Sequence, residues 1–367
     1  MTGRVIVAAG GTGGHLFPGL ALATALAERG RDVAFVGTER GLESRVVPEA
    51  GFEFHALPLE PFVRKVSPDV VRGPAAALRA VGRCRDVVRG AGAVLGMGGY
   101  PSVPAVLAAR RERVPVVLHE QNAVAGLANR SLARLSAAVA LGFADADRSF
   151  PRHLVTVTGN PVRASVLRTR DDRATLAEEG REALGLEQGR RTVVVFGGSQ
   201  GAMHVNEAAV GAGRILAHRA DLQILLLTGR THLEAVRRDV PASGDLVFRV
   251  EGFLDRMELA YAVADLVISR AGASSVAEIT VCGLPALFVP YPHAIAGEQE
   301  ANARALQRAG GASILMDDEL SADSLAERIL ALVDHEERLR SMCARSAAFG
   351  VPDATERVIE VIGRVER

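Results

Sequence analysis

The chain lacks the residues that would signal several common kinds of protein. Its three cysteines, Cys84, Cys282 and Cys343, are widely spaced, with no CxxC pair or Cys/His cluster. That argues against a disulfide framework or a zinc site, and for a reducing compartment. No uninterrupted apolar run reaches about 18 residues, so no membrane-spanning helix is expected, while attachment to a membrane surface stays open. Charge of one sign is also missing: 43 basic and 43 acidic residues cancel, which speaks against a nucleic-acid partner. Lys65 is the only lysine, a bias read as coding-DNA composition rather than function. The first residues enter an apolar run with no charged leader, so no signal peptide is expected.

What is abundant is apolar residues, 48% of 367, and glycine, at 38 positions. The length favours two domains. Short Val/Ala/Leu-rich runs alternate with longer helical patterns. Candidate strands are Arg4–Ala8, Asp32–Gly37, Ala93–Met97, Val114–His119, Ala137–Leu141 and Val155–Thr158. The second half repeats the scheme at Thr192–Phe196, Gln223–Thr228, Val247–Glu251, Leu266–Ser269, Ala286–Val289 and Ala312–Leu315. Strands apolar throughout are strands buried on both faces. The fold class is therefore α/β, with two doubly wound parallel-sheet domains. The first set ends at the turn Gly159-Asn160-Pro161. Near the end, Asp353 is a plausible N-cap for a helix whose stripe of Val358, Ile359 and Ile362 could pack back on the first domain.

Glycine-rich turns follow four strands: Gly10–His15, Gly96–Ser102, Gly197–Ala202 and Arg270–Ser275. Ligands of open α/β sheets bind beyond the carboxyl ends of strands, where loop amides and helix N-termini suit a diphosphate. One such turn is as often structural as functional; four at the same ends are harder to dismiss. A dinucleotide dehydrogenase fits poorly. Starting from Gly11, the last position of G-x-G-x-x-G is Leu16, although Glu39 could imitate the ribose-binding acid.

In the fourth turn, Ser274 or Ser275 can cap the following helix. Glu278 either takes the two hydroxyls of a ribose or complements the helix dipole. The run Gly297-Glu298-Gln299-Glu300-Ala301-Asn302 either reads sugar hydroxyls or is a solvated helix start. His119-Glu120-Gln121-Asn122 ends an apolar strand and looks like a site. Arg163, at the hinge, suits a diphosphate or a salt bridge. Asp145 and Asp147 spell D-x-D, but lie in a polar loop and are not read as a metal site. No metal or cofactor is expected. Between Phe62 and Arg89, seven basic residues face two acidic ones; this is either a surface helix or a face for an anionic bilayer.

Together GGTGGH, GMGGY, HEQN, GNPVR, GGSQGA, AGASSVAE, GLPALFVP and PDATERV resemble the bacterial N-acetylglucosaminyltransferases that act on lipid I, the undecaprenyl-diphosphate-linked muramyl-pentapeptide, in peptidoglycan synthesis. The blocks run in family order along nearly the whole chain. The resemblance implies a GT-B fold, two Rossmann-like domains facing across a cleft. Residues 1–162 with 352–367 would form the acceptor and membrane-side domain, and 163–351 the donor domain. It implies UDP-N-acetylglucosamine and lipid I as substrates. It also implies an anionic membrane surface as partner, with the protein peripheral on the cytoplasmic face of the cell membrane.

By motif, Ser199 and Gln200 would lie at the donor diphosphate and Leu254 against uracil. Ala273, Ser274, Ser275, Val276, Ala277 and Glu278 would bind the nucleotide, with Glu278 on the ribose. Gln299 and Asn302 would contact the N-acetylglucosamine. Thr12, Gly13, Gly14, Asn122 and Arg163 would complete the pocket, and Tyr100 would face the acceptor diphosphate. Ala294-Ile295-Ala296-Gly297 departs from the family by lacking polar residues before Glu298. The general base is expected to be His15, with Glu120 second; His15 could instead hydrogen-bond the phosphate or the loop. The alternatives are a UDP-sugar enzyme of the same fold with a soluble acceptor, an epimerase, and a non-enzymatic nucleotide-sugar sensor.

Overall fold

The computed structural model describes residues 3–11, 13–57, 59, 73–198, 201–240 and 244–366. The chain divides into two compact units, Met1–Arg163 with Pro352–Arg367, and Ala164–Val351. Thr12, Ser199 and Gln200 lie outside the described residues, as does residues 62–72 of the basic segment.

Among the described residues, the first unit holds a seven-stranded sheet. Its strands are β1 (Val5–Ala8), β2 (Val33–Thr38), β3 (Glu53–Leu57), β4 (Ala93–Gly96), β5 (Val116–Glu120), β6 (Ala138–Leu141) and β7 (Val155–Val157). All pair in parallel, in the order β3-β2-β1-β4-β5-β6-β7. Alternate residues of β1 enter different cores: Val5 and Val7 join Leu16, Leu22 and Leu26 on one face, Ile6 and Ala8 join Val94, Val106 and Leu118 on the other. That is the two-unit period of a strand covered on both sides.

The sequence reading missed β3. Its segment, Glu-Phe-His-Ala-Leu, is mostly exposed or half-buried and lies at the sheet edge. An edge strand with one wet face does not show the continuous apolar run that marks its neighbours.

The second unit holds a six-stranded parallel sheet: β8 (Arg191–Phe196), β9 (Leu222–Leu227), β10 (Val247–Glu251), β11 (Leu266–Ser269), β12 (Ala286–Phe288) and β13 (Ala312–Ile314). Its order is β10-β9-β8-β11-β12-β13. In each sheet the chain order reverses at one place, between β1 and β4 and between β8 and β11. Such a switch point opens a crevice at the strands' carboxyl ends. Ala8 pairs with Gly96, and Phe196 with Ser269, so the glycine turns leave each switch point side by side.

The helix Ala354–Val365 belongs to the first unit, where Val358, Val361 and Ile362 are buried. Two ion pairs fasten it, Arg29 to Glu356 and a nearly buried one from Arg31 to Glu366 at 2.5 Å. Asp353 occupies the N-cap position, but its carboxylate takes Arg357 Nε at 3.0 Å rather than a backbone N–H. Arginine one turn on is the stronger donor and wins the contact. Ile362→Ala is expected to cost the first unit about 2–5 kcal/mol, read from denaturant unfolding.

Candidate active site

At the first switch point two glycine turns interlock. A Cβ on Gly98 (φ +94°) would lie 3.1 Å from His15 Cδ2, and one on Gly99 (φ +73°) would lie 2.7 Å from the Gly10 carbonyl oxygen. Both positions need glycine for conformation and for room. Ser102 ties the turns together: its Oγ accepts the Gly98 N–H at 3.1 Å and lies 3.1 Å from the Ala8 carbonyl. Tyr100 stands over Gly11, where a Cβ would sit 3.5 Å from Tyr100 Cε1.

Gly13 and Gly14 open the helix Gly13–Glu28, and His15 follows in its first turn, half-buried. Burial holds the His15 imidazole below its ordinary 6.5; a hydrogen bond with the Gly10 backbone and the charge of Glu43 oppose this. It is therefore a neutral imidazole at pH 7, the form that accepts a proton.

The end of β5 is largely buried. His119 Nε2 lies 3.2 Å from the Gly159 carbonyl, and burial pushes its pKa down to about 4. Glu120 accepts the backbone N–H of Asn122 at 3.1 Å and of Gly126 at 3.0 Å, and Asn129 Nδ2 at 3.0 Å. Burial raises its pKa against those three bonds and a fourth from the Asn122 side chain. Gln121 Nε2 donates to the Met97 carbonyl at 2.8 Å, and Asn160 Nδ2 to the Gln121 carbonyl at 2.8 Å. Only Asn122 of the four is half-exposed. The motif is thus mainly a brace joining the ends of β4 and β5 to the Gly159-Asn160 turn. Arg163 closes the first unit, with its guanidinium carbon 5.9 Å above the Phe17 ring.

At the second switch point, Gly201 (φ +77°) turns so tightly that a Cβ would strike the Thr228 carbonyl. The helix Met203–Ile215 starts directly after it. The neighbouring helix, Ala273–Val281, is capped by Gly272 with no side-chain bond. Neither Ser274 nor Ser275 is the cap, because both already lie inside the helix; Ser274 Oγ is buried without a hydrogen-bond partner among the described residues.

Glu278 falls in the second turn, past the reach of the helix dipole. Its Oε2 accepts the hydroxyl of Tyr261 at 2.9 Å. Tyr261 is buried edge-on to Phe196, 6.2 Å between ring centres. Nothing in the sequence pointed to Tyr261, which precedes Glu278 by 17 residues on another helix. Leu254 is half-buried; beside it the exposed Phe253 ring stacks under the Arg230 guanidinium, 4.4 Å from its centroid.

Gln299 is half-buried, and its Oε1 accepts the Tyr291 N–H at 3.0 Å. Asn302 is fully buried, and its amide donates to the Ala271 carbonyl at 3.1 Å, so it holds the fourth glycine turn from beneath. Ala296 takes a left-handed φ of +56°, unusual without a glycine. Arg270, also unmarked by the sequence reading, donates to the Val289 and Pro290 carbonyls and pairs with Asp317 at 2.5 Å.

Two parallel sheets with paired glycine turns at their switch points, one beside a neutral histidine and the other beside a braced carboxylate, are the frame of a nucleotide-sugar glycosyltransferase. Residues 5–141 match the glycosyltransferase family 28 N-terminal domain and residues 192–358 its C-terminal domain, and the chain belongs to that family. It is 40% identical to the UDP-N-acetylglucosamine--N-acetylmuramyl-(pentapeptide) pyrophosphoryl-undecaprenol N-acetylglucosamine transferase of Halothermothrix orenii, over 98% of both chains. Identity to the transferase of the same name from Mycobacterium sp. (strain KMS) is 42%, over 99% of this chain and 96% of that one. The crystal structure of Acinetobacter baumannii MurG superposes with a TM-score of 0.79 at 30% identity, covering 99% of each chain.

Proposed function

We infer that this chain is an inverting transferase that moves N-acetylglucosamine from UDP-N-acetylglucosamine to the C4 hydroxyl of N-acetylmuramic acid in lipid I. The product is lipid II, the β-1,4-linked precursor of peptidoglycan. The observation that carries this is full-length identity near 40% to curated transferases of that name.

The second unit is assigned the donor. Glu278 takes the ribose diol, Leu254 lies against uracil, and residues 273–277 hold the nucleotide. Ser199, Gln200 and the amides leading into the helix at Met203 take the diphosphate, and Gln299 takes the sugar. Asn302 is assigned a positioning role through Ala271. On the first unit, Thr12, Gly13, Gly14, Asn122 and Arg163 are assigned to substrate binding, and Tyr100 to the acceptor diphosphate.

His15 is preferred over Glu120 as general base, because four N–H donors already occupy the Glu120 carboxylate. As the acceptor oxygen bonds to the anomeric carbon, the C1–phosphate oxygen bond breaks. UDP leaves with the electron pair, and the hydroxyl proton passes to His15. Charge growing on the diphosphate is met by loop amides, a helix N-terminus and Arg163.

Among the described residues no helix is long and apolar enough to cross a membrane. Docking on the cytoplasmic face through the first unit is supported by the lipid-linked acceptor and by exposed Arg79 and Arg83 on the helix Gly73–Val88, where Val81, Cys84 and Val88 face inward. Arg83 also lies 3.9 Å from Glu39, and Arg85 and Arg89 of the same run pair with Glu112, so these three offer less than Arg79.

Radiolabelled UDP-N-acetylglucosamine mixed with a lipid I analogue tests the activity. Label should enter the lipid extract. Label that instead joins a soluble sugar, or a donor merely epimerised, would overturn the reading. Tyr261→Phe, which removes one hydrogen bond to a charged group, is expected to raise KM for the donor about tenfold with kcat little changed.

A further inference from the structure

Beneath the first glycine turn lies a carboxylate with no part in the mechanism so far. Glu43 begins the helix Glu43–Glu49 and is only 1% exposed. Three glycines make its socket. A Cβ on Gly10 or Gly41 would strike its carboxylate, and one on Gly37 would lie 2.5 Å from its Cγ. Its Oε1 accepts both the backbone N–H of Thr38, at 2.9 Å, and the Thr38 hydroxyl, at 2.7 Å. Its Oε2 is buried with no hydrogen-bond partner among the described residues.

A buried acid with one orphaned oxygen is costly, so its position under Gly10 calls for a cationic counterpart. The group bonded to the Gly10 backbone, and felt electrostatically by Glu43, is His15. A negative charge in that place would repel a phosphate cradled by the turn, and would favour a proton arriving on the histidine. Both effects favour the proton-accepting role assigned to His15 above.

We propose that Glu43 is a positioning residue for the transfer: it fixes the Gly10 turn that orients His15, and its charge stabilises the imidazolium formed when His15 takes the acceptor's hydroxyl proton. The proposal rests on His15 being the base. Other titratable groups at this turn are His119, Tyr100 over Gly11 and, through Asn129, Glu120. His119, at about 4, stays neutral through the working range and adds no charge there. Arg163 stands over Phe17, two residues along the helix from His15.

The test is the pH profile of kcat in Glu43→Gln, which keeps the shape and the bonds from Thr38 but removes the charge. Activity falls on the acid side as His15 is protonated. Without the negative charge the imidazolium is less stable and the base pKa drops. The acid limb should therefore move to lower pH, the plateau kcat should fall about tenfold for the weaker base, and KM for UDP-N-acetylglucosamine should hold. Glu43→Asp, with the charge withdrawn by one methylene, should move the limb the same way by less, and serves alone if the Gln variant does not fold.

An unshifted limb in a folded variant overturns the proposal, leaving Glu43 a structural brace. A lowered donor KM in Glu43→Gln overturns it too, since that would mark the turn as a phosphate cradle. Failure of the base assignment shows separately, as near-normal kcat in His15→Ala.

Discussion

His15→Ala is expected to lower kcat by about 10²–10⁴-fold, the usual contribution of a general base, while KM for UDP-N-acetylglucosamine changes little. The two effects separate because the donor is assigned to the second unit, and His15 sits at the first switch point beside Gly98 and Gly99. The wild-type acid limb should lie below 6.5, since burial outweighs the Gly10 bond and the Glu43 charge. Steady-state kinetics from acid to neutral pH check both. A phosphate ligand would behave differently: its loss would raise donor KM and leave the limb in place.

Glu278→Ala should act on binding instead. A carboxylate bonded to both hydroxyls of a ribose loses two hydrogen bonds to a charged group, each worth about 1.5–3 kcal/mol. KM for the donor should rise at least 10²-fold by the relation of about 1.4 kcal/mol to a factor of ten. The rival role, a first-turn acid complementing the helix dipole, would cost a few tenths of a kcal/mol to about 1 kcal/mol of stability and leave KM alone. Geometry already leans against that rival, because the helix begins at Ala273 and Tyr261 braces the Glu278 carboxylate from the side. Isothermal titration with UDP gives the same comparison without turnover.

The parts of this molecule that could be read from sequence are those set by local pattern. β1, the Val193–Phe196 part of β8 and the Leu266–Ile268 part of β11 are apolar runs that lead into glycine-rich turns, and such a run has few other conformations in which to be buried. β3 escaped because its edge position lets Glu53 and His55 alternate with Phe54. Motifs placed His15, Glu120 and Glu278 near strand ends, but not what touches them. Tyr261 reaches Glu278 from a separate helix, Asn302 reaches Ala271 from 31 residues away, and Glu43 fills a socket whose three walls come from two stretches of chain. Long-range contacts of this kind leave no periodicity for a sequence reading to find. Capping was misread in one helix for a related reason. Ser274 and Ser275 have the right chemistry for a cap, yet backbone conformation gave Gly272 the position; Asp353 does hold its N-cap position, though Arg357 took its carboxylate.

The most direct measurement is the structure of the product. Lipid made by this chain from 13C-labelled UDP-N-acetylglucosamine and a lipid I analogue can be cleaved from its carrier and its new linkage read by NMR. Direct displacement with a base at the acceptor hydroxyl requires a β anomeric proton and a bond to C4 of N-acetylmuramic acid. An α configuration, or attachment at any other hydroxyl, would contradict the mechanism built on His15.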